Sequence, residues 1–310
     1  MKPPSFTLVQ LRYFAAAAEH GSMTAAAREL VVSQSAVSTA IAQLERELGV
    51  QLLLRHHARG LTLTAAGTSF YQELRSFLVH AGELIDAALE AGSSLLGELS
   101  VGCFSTLAPF HLPGLLVAHR RRFPDVRVTL VEGEHAQLKR GLRDGSCELA
   151  LMYGYDLDDD IDKVLVDSAR PYALVSRDHH LARRKRVSLA ELAPEPMVLL
   201  DLPHSNAYFE SIIGSTGLVP NVRFRTTGYE MVRAMVANGH GYALLNQRPA
   251  HDTTYDGRSV VSLELRDELP PLEIVLAWMR GVRLTRRAQS FVVLTREYYA
   301  SRKPAVSTGS

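Results

Sequence analysis

Between Ser33 and Arg46 the chain carries Ser33, Gln34, Ser35, Ser38, Thr39 and Gln43. On a helix, Ser35, Ser38, Thr39, Ala42, Gln43 and Arg46 fall on one side, opposite a stripe of Val37, Ile41, Leu44 and Leu48. A face meant for water usually carries Lys and Glu. These side chains are short and mostly uncharged, and Ser, Thr and Gln can both donate and accept hydrogen bonds. That chemistry suits the base edges of a DNA major groove, where donors and acceptors alternate and the helix must come close. The N–H groups opening such a helix also suit a phosphate. Arg55, His56, His57 and Arg59 add positive charge nearby, fit for backbone or minor-groove contact. An ordinary three-helix bundle with a polar outer face gives the same periodicity, so periodicity alone leaves both readings open.

The elements that must position this face can be read from caps and periods. Thr7 caps a first helix whose Leu8, Leu11, Phe14, Ala15 and Ala18 follow the helical period up to Gly21. Ser22 caps a short second helix ending near Leu30, and Ser33 caps the third, ending at Gly49. QLLLRHHARGLTLT (51–64) then reads as a β-wing turning at ARG. Thr64 caps a long helix, 65–91, in which Phe70, Leu74, Phe77, Ala81, Leu84 and Ala88 recur at alternating steps of four and three. That period of about 3.5 describes a coiled-coil seam between two chains; packing within one subunit is the alternative. GSS at 92–94 reads as a hinge.

From about Glu98 strands alternate with helices, which implies a parallel sheet with right-handed crossovers. LSVGCF, VRVTLVE and CELALMY are strands of a first unit; YALVS, MVLLD, VRFRT and YALLN belong to a second. PLEIVLAWM and the helix LTRRAQSFVVLTREYYA close the chain and fit either unit. If they return to the first, two connections cross between lobes, near 168–172 and 266–271, and a cleft lies between them. Such hinged lobes close around small ligands. The expected division is 1–64, 65–94 and 95–300, with lobe I about 95–168 and 270–300, lobe II about 171–266, and a flexible tail 301–310.

Composition limits the alternatives. The chain has 310 residues, a net charge of +1, 46% hydrophobic and 22% charged residues, so phosphate binding must come from local patches. MKPPSF lacks the apolar stretch of a signal peptide, and no apolar run approaches the roughly 18 residues of a membrane span; the expected compartment is the cytoplasm, with no membrane partner. Two cysteines argue against a disulfide framework. G-x-S-x-G is absent, and GHGYAL lacks the third glycine of a dinucleotide loop. His56–His57 and His179–His180 are adjacent pairs that diverge on a helix or strand and so suit a metal poorly. RRKR at 183–186 reads as a solvated loop. Neither a metal, a cofactor nor a catalytic constellation is expected.

The pattern of AA near 25–27, Leu30, SQSAVS at 33–38, LE at 44–45, LG at 48–49, Arg55 and LTAAG at 63–67 resembles the winged helix-turn-helix of LysR-type transcriptional regulators. The remaining length is similar to the family's two-lobed, periplasmic-binding-protein-like effector domain. The chain departs from the family at Ser35, often Pro, at Thr39, often basic, and at Leu53, usually Phe, so operator preference does not carry over. The resemblance implies Gln34, Ser35, Ser38 and Thr39 as base or phosphate readers and Arg55 and Arg59 as wing contacts. It implies double-stranded DNA with an interrupted palindrome, a homodimer that pairs into a tetramer, RNA polymerase as a further contact, and activation or repression switched by a small effector. The effector site would begin at Ser105 and Thr106, faced by His204, Ser205, Thr226 and Thr227. Several of these stand at helix starts, where N–H groups and the dipole favour an anion, hence a small carboxylate. Their other reading is as helix caps. A redox switch using Cys103 and Cys147, as in peroxide-sensing relatives, is the second reading, and an enzyme using the two-lobed cleft the third.

Overall fold

The computed structural model describes residues 6–56, 60–89, 95–203, 205–214 and 216–302, with backbone alone at 55–56, 83–89, 205–207 and 302. The chain divides into two compact units, one reaching Leu95 and including the short segment Arg143–Ser146, the other holding the rest. Among the described residues no helix is long and apolar enough to cross a membrane.

In the first unit, Thr7 and Gln10 form a reciprocal capping box at the start of α1 (Leu8–His20), and Gly21 ends that helix at φ 57°. Ser22 caps α2 (Met23–Glu29) and Ser33 caps α3 (Gln34–Leu48). β1 (Leu53–His56) and β2 (Gly60–Leu63) pair antiparallel, Leu53 opposite Leu63. Glu45 joins the wing to α3: its Oε1 accepts from the backbone N–H groups of Leu52 at 2.8 Å and Leu53 at 3.0 Å. The long helix α4 (Ala65–Leu89) starts under Thr64, whose Oγ1 accepts from Gly67 N at 2.9 Å. Only glycine fits at 67, since a Cβ there would stand 2.0 Å from the Leu52 carbonyl oxygen.

The core of this unit gathers Phe14, Val37, Ile41 and Leu44 with Tyr71 and Leu74 of α4. This corrects the dimer-seam expectation over its first two turns. Leu74 is 4% exposed in its own subunit's core, and the Phe70 ring lies 5.5 Å from that of Phe14. A 3.5-residue period also describes a helix lying on a small domain for two turns, which is what Phe70 and Leu74 do. Phe77 is 51% exposed and Ala81 half-buried, so these two do not belong to that core. The side chains of Leu84 and Ala88, and the 92–94 hinge, lie outside the described residues.

The second unit begins with β3 (Gly97–Phe104), α5 (Ala108–Arg122), β4 (Val126–Gly133), α6 (His135–Asp144), β5 (Leu149–Tyr153) and β6 (Ile161–Ala169). It continues with β7 (Tyr172–Ser176), β8 (Arg186–Val187), α7 (Leu189–Leu192), β9 (Pro196–Leu200), α8 (Ser205–Gly214), β10 (Asn221–Thr226), α9 (Tyr229–Ala237), β11 (Ala243–Leu245) and β12 (Val260–Leu265). β13 (Leu272–Met279) and α10 (Arg286–Arg302) finish it. The first sheet runs β4-β3-β5-β13-β6. β3 is parallel to β4 and β5, whereas β13 is antiparallel to both β5 and β6. The chain thus returns to the first lobe and places its last strand inside that sheet. The second lobe has β11-β7-β12-β8, with β7 antiparallel to β11 and β12 and β8 parallel to β12, and beside it the parallel pair β9-β10.

The sheets are therefore mixed rather than purely parallel. The sequence does not announce β6, β8 and β12; in β6 only Ile161 and Val166 are buried, five residues apart, so this edge strand shows no regular two-residue hydrophobic period. α10 reaches Arg302, past the expected start of the tail, and residues 303–310 lie outside the described ones.

Candidate nucleic-acid interface and effector cleft

The reading face points outward from the first unit. Gln34, Ser35, Thr39, Gln43 and Arg46 are exposed and Ser38 is half-buried, while Val37, Ile41 and Leu44 on the opposite stripe are buried. Ser33 acts first as the cap: its Oγ accepts from Ala36 N at 3.1 Å and shares a hydrogen bond with Ser35 Oγ at 2.9 Å. Arg55 lies on β1 with its side chain outside the described residues, and Arg59 and His57 are outside them altogether.

Between the two lobes of the second unit lies a small cavity of about 20 Å³. Thr106, Tyr153 and Leu272 line it from the first lobe. Leu200, Tyr208, Phe209, Tyr229, Leu245, Asn246 and Gln247 line it from the second. Gln247 joins the two walls. Its backbone carbonyl accepts from the Tyr172 hydroxyl at 2.8 Å and the Tyr229 hydroxyl at 2.5 Å. Its Nε2 donates to Tyr153 Oη at 3.3 Å, and its Oε1 lies 3.0 Å from His111 Nε2. A carbonyl oxygen can only accept, so His111 Nε2 carries the proton, and Nδ1 of the neutral ring accepts from the Tyr299 hydroxyl at 2.7 Å. A continuous chain of hydrogen bonds thus runs from α10 through α5 to the cavity wall, and Thr106 Oγ1, 3.5 Å from Tyr153 Oη, extends it.

Burial governs the titration of these phenols. Desolvation pushes Tyr153 up to about 12 and also raises Tyr172, Tyr208 and Tyr229. At neutral pH they offer O–H groups and no charge. No described Lys, Arg, His, Asp or Glu lines the cavity. Arg248 lies 4.7 Å over the Tyr172 ring, outside the lining.

Of the expected effector residues, Thr106 lines the cavity and is 8% exposed. Ser105 does not: its Oγ donates within its own lobe, 2.6 Å from Glu134 Oε1 and 3.3 Å from Gly133 O. Thr226 accepts from Gly228 N at 3.4 Å, Thr227 is exposed, and neither lines the cavity. The cap reading does not hold for these three either: α5 is preceded by Leu107 and α9 by Gly228, both without a side-chain cap. His204 lies outside the described residues, as does the side chain of Ser205. Tyr153, Tyr229, Asn246 and Gln247 were missed. They stand at strand ends or a helix start, which is where open α/β sheets bind ligands.

The thiol-pair expectation fails on geometry. Strand register sets Cys103 opposite Leu151, four residues beyond Cys147. Cys147 Sγ lies against the face of β3 where Gly102 would carry its Cβ, 3.1 Å from that position, and the next residue, Cys103, points to the opposite face of the strand. Neither cysteine is in a disulfide, both are 0% exposed, and burial pushes the Cys103 thiol up, away from the reactive thiolate. The view of His179 and His180 as diverging also fails. They lie in a turn, and their rings stack with centroids 4.5 Å apart.

Two family models match the chain. "Bacterial regulatory helix-turn-helix protein, lysR family" covers residues 8–68 and "LysR substrate binding domain" covers residues 92–300. A hydrogen peroxide-inducible genes activator of Pectobacterium carotovorum is 32% identical over 239 residues, 76% of this chain and 78% of that protein. The structure of HinK, a LysR family transcriptional regulator from Pseudomonas aeruginosa, superposes with a TM-score of 0.65 at 38% identity, covering 95% of this chain and 99% of that one. Full-length CbnR in complex with its target DNA gives a TM-score of 0.57 at 26% identity, covering 95% and 100%.

Proposed function

Because this chain belongs to the LysR family of transcriptional regulators, we propose that its α3 face reads an interrupted palindrome and that a small molecule held between the two lobes switches the output. The observation carrying the first half is the outward row of Gln34, Ser38, Thr39 and Gln43 on a helix whose other side is core. CbnR, a relative crystallised on its target DNA, supports the same use of this domain. One recognition helix reads only a few base pairs, so a fixed pair of them is what gives an extended site its selectivity. Phe77, Ala81 and the later turns of α4 are the proposed contact of the pair, and two such dimers the proposed tetramer. RNA polymerase is the proposed further partner when the output is activation.

The effector is proposed to be compact and to meet Tyr153, Tyr229 and Gln247 through hydrogen bonds while its apolar body rests on Leu200, Phe209 and Leu272. A carboxylate would have to rely on backbone N–H groups, since no described lining side chain offers a counter-charge. The ligand acts on transcription only if it binds two lobe arrangements with different affinity. Peroxide sensing through a Cys103–Cys147 bond is not proposed, although a relative is named for peroxide induction.

The test is fluorescence anisotropy on the gene's own upstream region. The triple variant Gln34→Ala, Ser38→Ala, Thr39→Ala should lose about 100-fold or more in specific affinity, at about 1–3 kcal/mol per lost base contact. Its residual binding should fall steeply with salt. Undiminished selectivity in the folded variant would overturn the reading. Matched acid and amide pairs, screened by calorimetry, decide the charge of the effector.

A further inference from the structure

On the second lobe, apart from the cavity lining, His179, His180 and Glu195 bring three ligating groups together, their ligand atoms all within 4.8 Å of one another. His179 and His180 are adjacent in sequence, and a helix or strand would send their rings apart. The turn after β7 prevents this. His179 N donates to Ser176 O at 3.2 Å and Ala182 N to His179 O at 2.9 Å, and the two rings stack at 28°. Both face one carboxylate, with Glu195 Oε2 2.6 Å from His179 Nε2 and Oε1 3.3 Å from His180 Nε2.

Two imidazoles and one carboxylate are the donor set of zinc and its transition-metal neighbours, whereas calcium and magnesium prefer oxygen alone. Tetrahedral zinc with bonds of about 2.0–2.1 Å spaces its ligands about 3.3 Å apart, the separation that His180 and Glu195 already have. We propose that His179, His180 and Glu195 form a binding site for one divalent transition-metal ion, with open positions left for water.

Loading the site has a local consequence. Leu181 N donates to His179 Nδ1 at 3.2 Å, so the metal-free ring carries its proton on Nε2 and gives it to Glu195. An ion on Nε2 moves the ring proton to Nδ1, and the Leu181 N–H must then turn away. The His179–Glu195 contact, now at hydrogen-bond length, opens by several tenths of an ångström. The ion would tether this turn to the start of β9, the strand whose last residue, Leu200, lines the cleft.

The test uses tag-free, chelator-dialysed protein and Zn(II) as the probe, titrated against a chromophoric chelator, with Co(II) absorption as the readout of coordination. One equivalent should bind, Mg(II) and Ca(II) should not compete, and Zn(II) should raise the thermal midpoint. His180 is 68% exposed, so His180→Ala folds; it should weaken Zn(II) binding at least tenfold and abolish the thermal shift. Glu195→Gln should do the same, and if it fails to fold, His180→Ala with the Co(II) spectrum decides alone. Absence of stoichiometric binding, or Zn(II) affinity and Co(II) spectrum unchanged in folded His180→Ala, would overturn the assignment.

Discussion

Replacing Gln247 by leucine tests the arrangement of the cleft most directly. The substitution keeps the side chain's bulk and the backbone carbonyl that accepts from Tyr172 and Tyr229. It removes the acceptor of His111 Nε2–H and the donor to Tyr153 Oη, at 3.0 and 3.3 Å. A buried polar group left without its partner costs about 1–3 kcal/mol. Two such losses sum to about 3 kcal/mol, below twice the middle of that range because the His111 ring keeps Tyr299 and the Tyr153 hydroxyl stays 3.5 Å from Thr106 Oγ1. For a unit of this size about 1 kcal/mol moves Tm by about 2–4 °C, so the expected fall is about 6–12 °C by differential scanning calorimetry. Tyr153→Phe in a double-mutant cycle isolates one bond and should show a coupling of about 1 kcal/mol. A Gln247→Leu protein melting within about 2 °C of the wild type, far below the expected shift, would refute the claim that this side chain ties the two walls together.

Gly67→Ala drives a Cβ into the Leu52 carbonyl at the α4 start; it should destabilise the first unit by about 2–4 kcal/mol. DNA capture should be lost with the first unit's melting transition, while that of the second stays put. Phe77→Arg changes an exposed aromatic on α4 and should weaken self-association at least tenfold by sedimentation velocity, with the fold intact; unchanged association would remove α4 from the dimer contact. Alkaline pH should unfold the second unit through its tyrosines. The folded state raises Tyr153 from 10.0 to about 12 and raises Tyr172 and Tyr229 as well, so it holds protons that the unfolded chain has released. Stability is then full below about pH 10 and falls as pH climbs through about 12. Tm measured against pH, beside tyrosinate absorbance, checks this; ionisation of every tyrosine near pH 10 with no loss of Tm would contradict it.

The first unit was legible because local rules suffice there. Thr7, Ser22 and Ser33 cap, Gly21 and Gly49 stop, and the Val37–Ile41–Leu44 stripe fixes which side of α3 faces out. Phe70 and Leu74 were read as a seam because a pattern cannot tell a neighbouring chain from a neighbouring helix. In the second unit the strand ends were visible but not their order. Thr106 was found from the end of β3, whereas Tyr153, Tyr229 and Gln247 meet only after β13 inserts beside β5 and the second lobe turns its β11 end toward the first. The two histidines were misjudged because their divergence holds for regular backbone and they stand on a turn.

The position of β13 has a consequence for how the protein is made. That strand lies between β5 and β6, hydrogen-bonded to both, yet it leaves the ribosome only after every element of the second lobe. The second lobe, encoded entirely upstream, is free to form while β3, β4, β5 and β6 still wait with an open gap in their sheet. A stop codon anywhere before Leu272 would strip the sheet of the strand between β5 and β6 and leave two raw edges, which invite aggregation. The nascent chain therefore closes its cleft only once β13 has emerged, and a finished cleft certifies that translation has passed Met279.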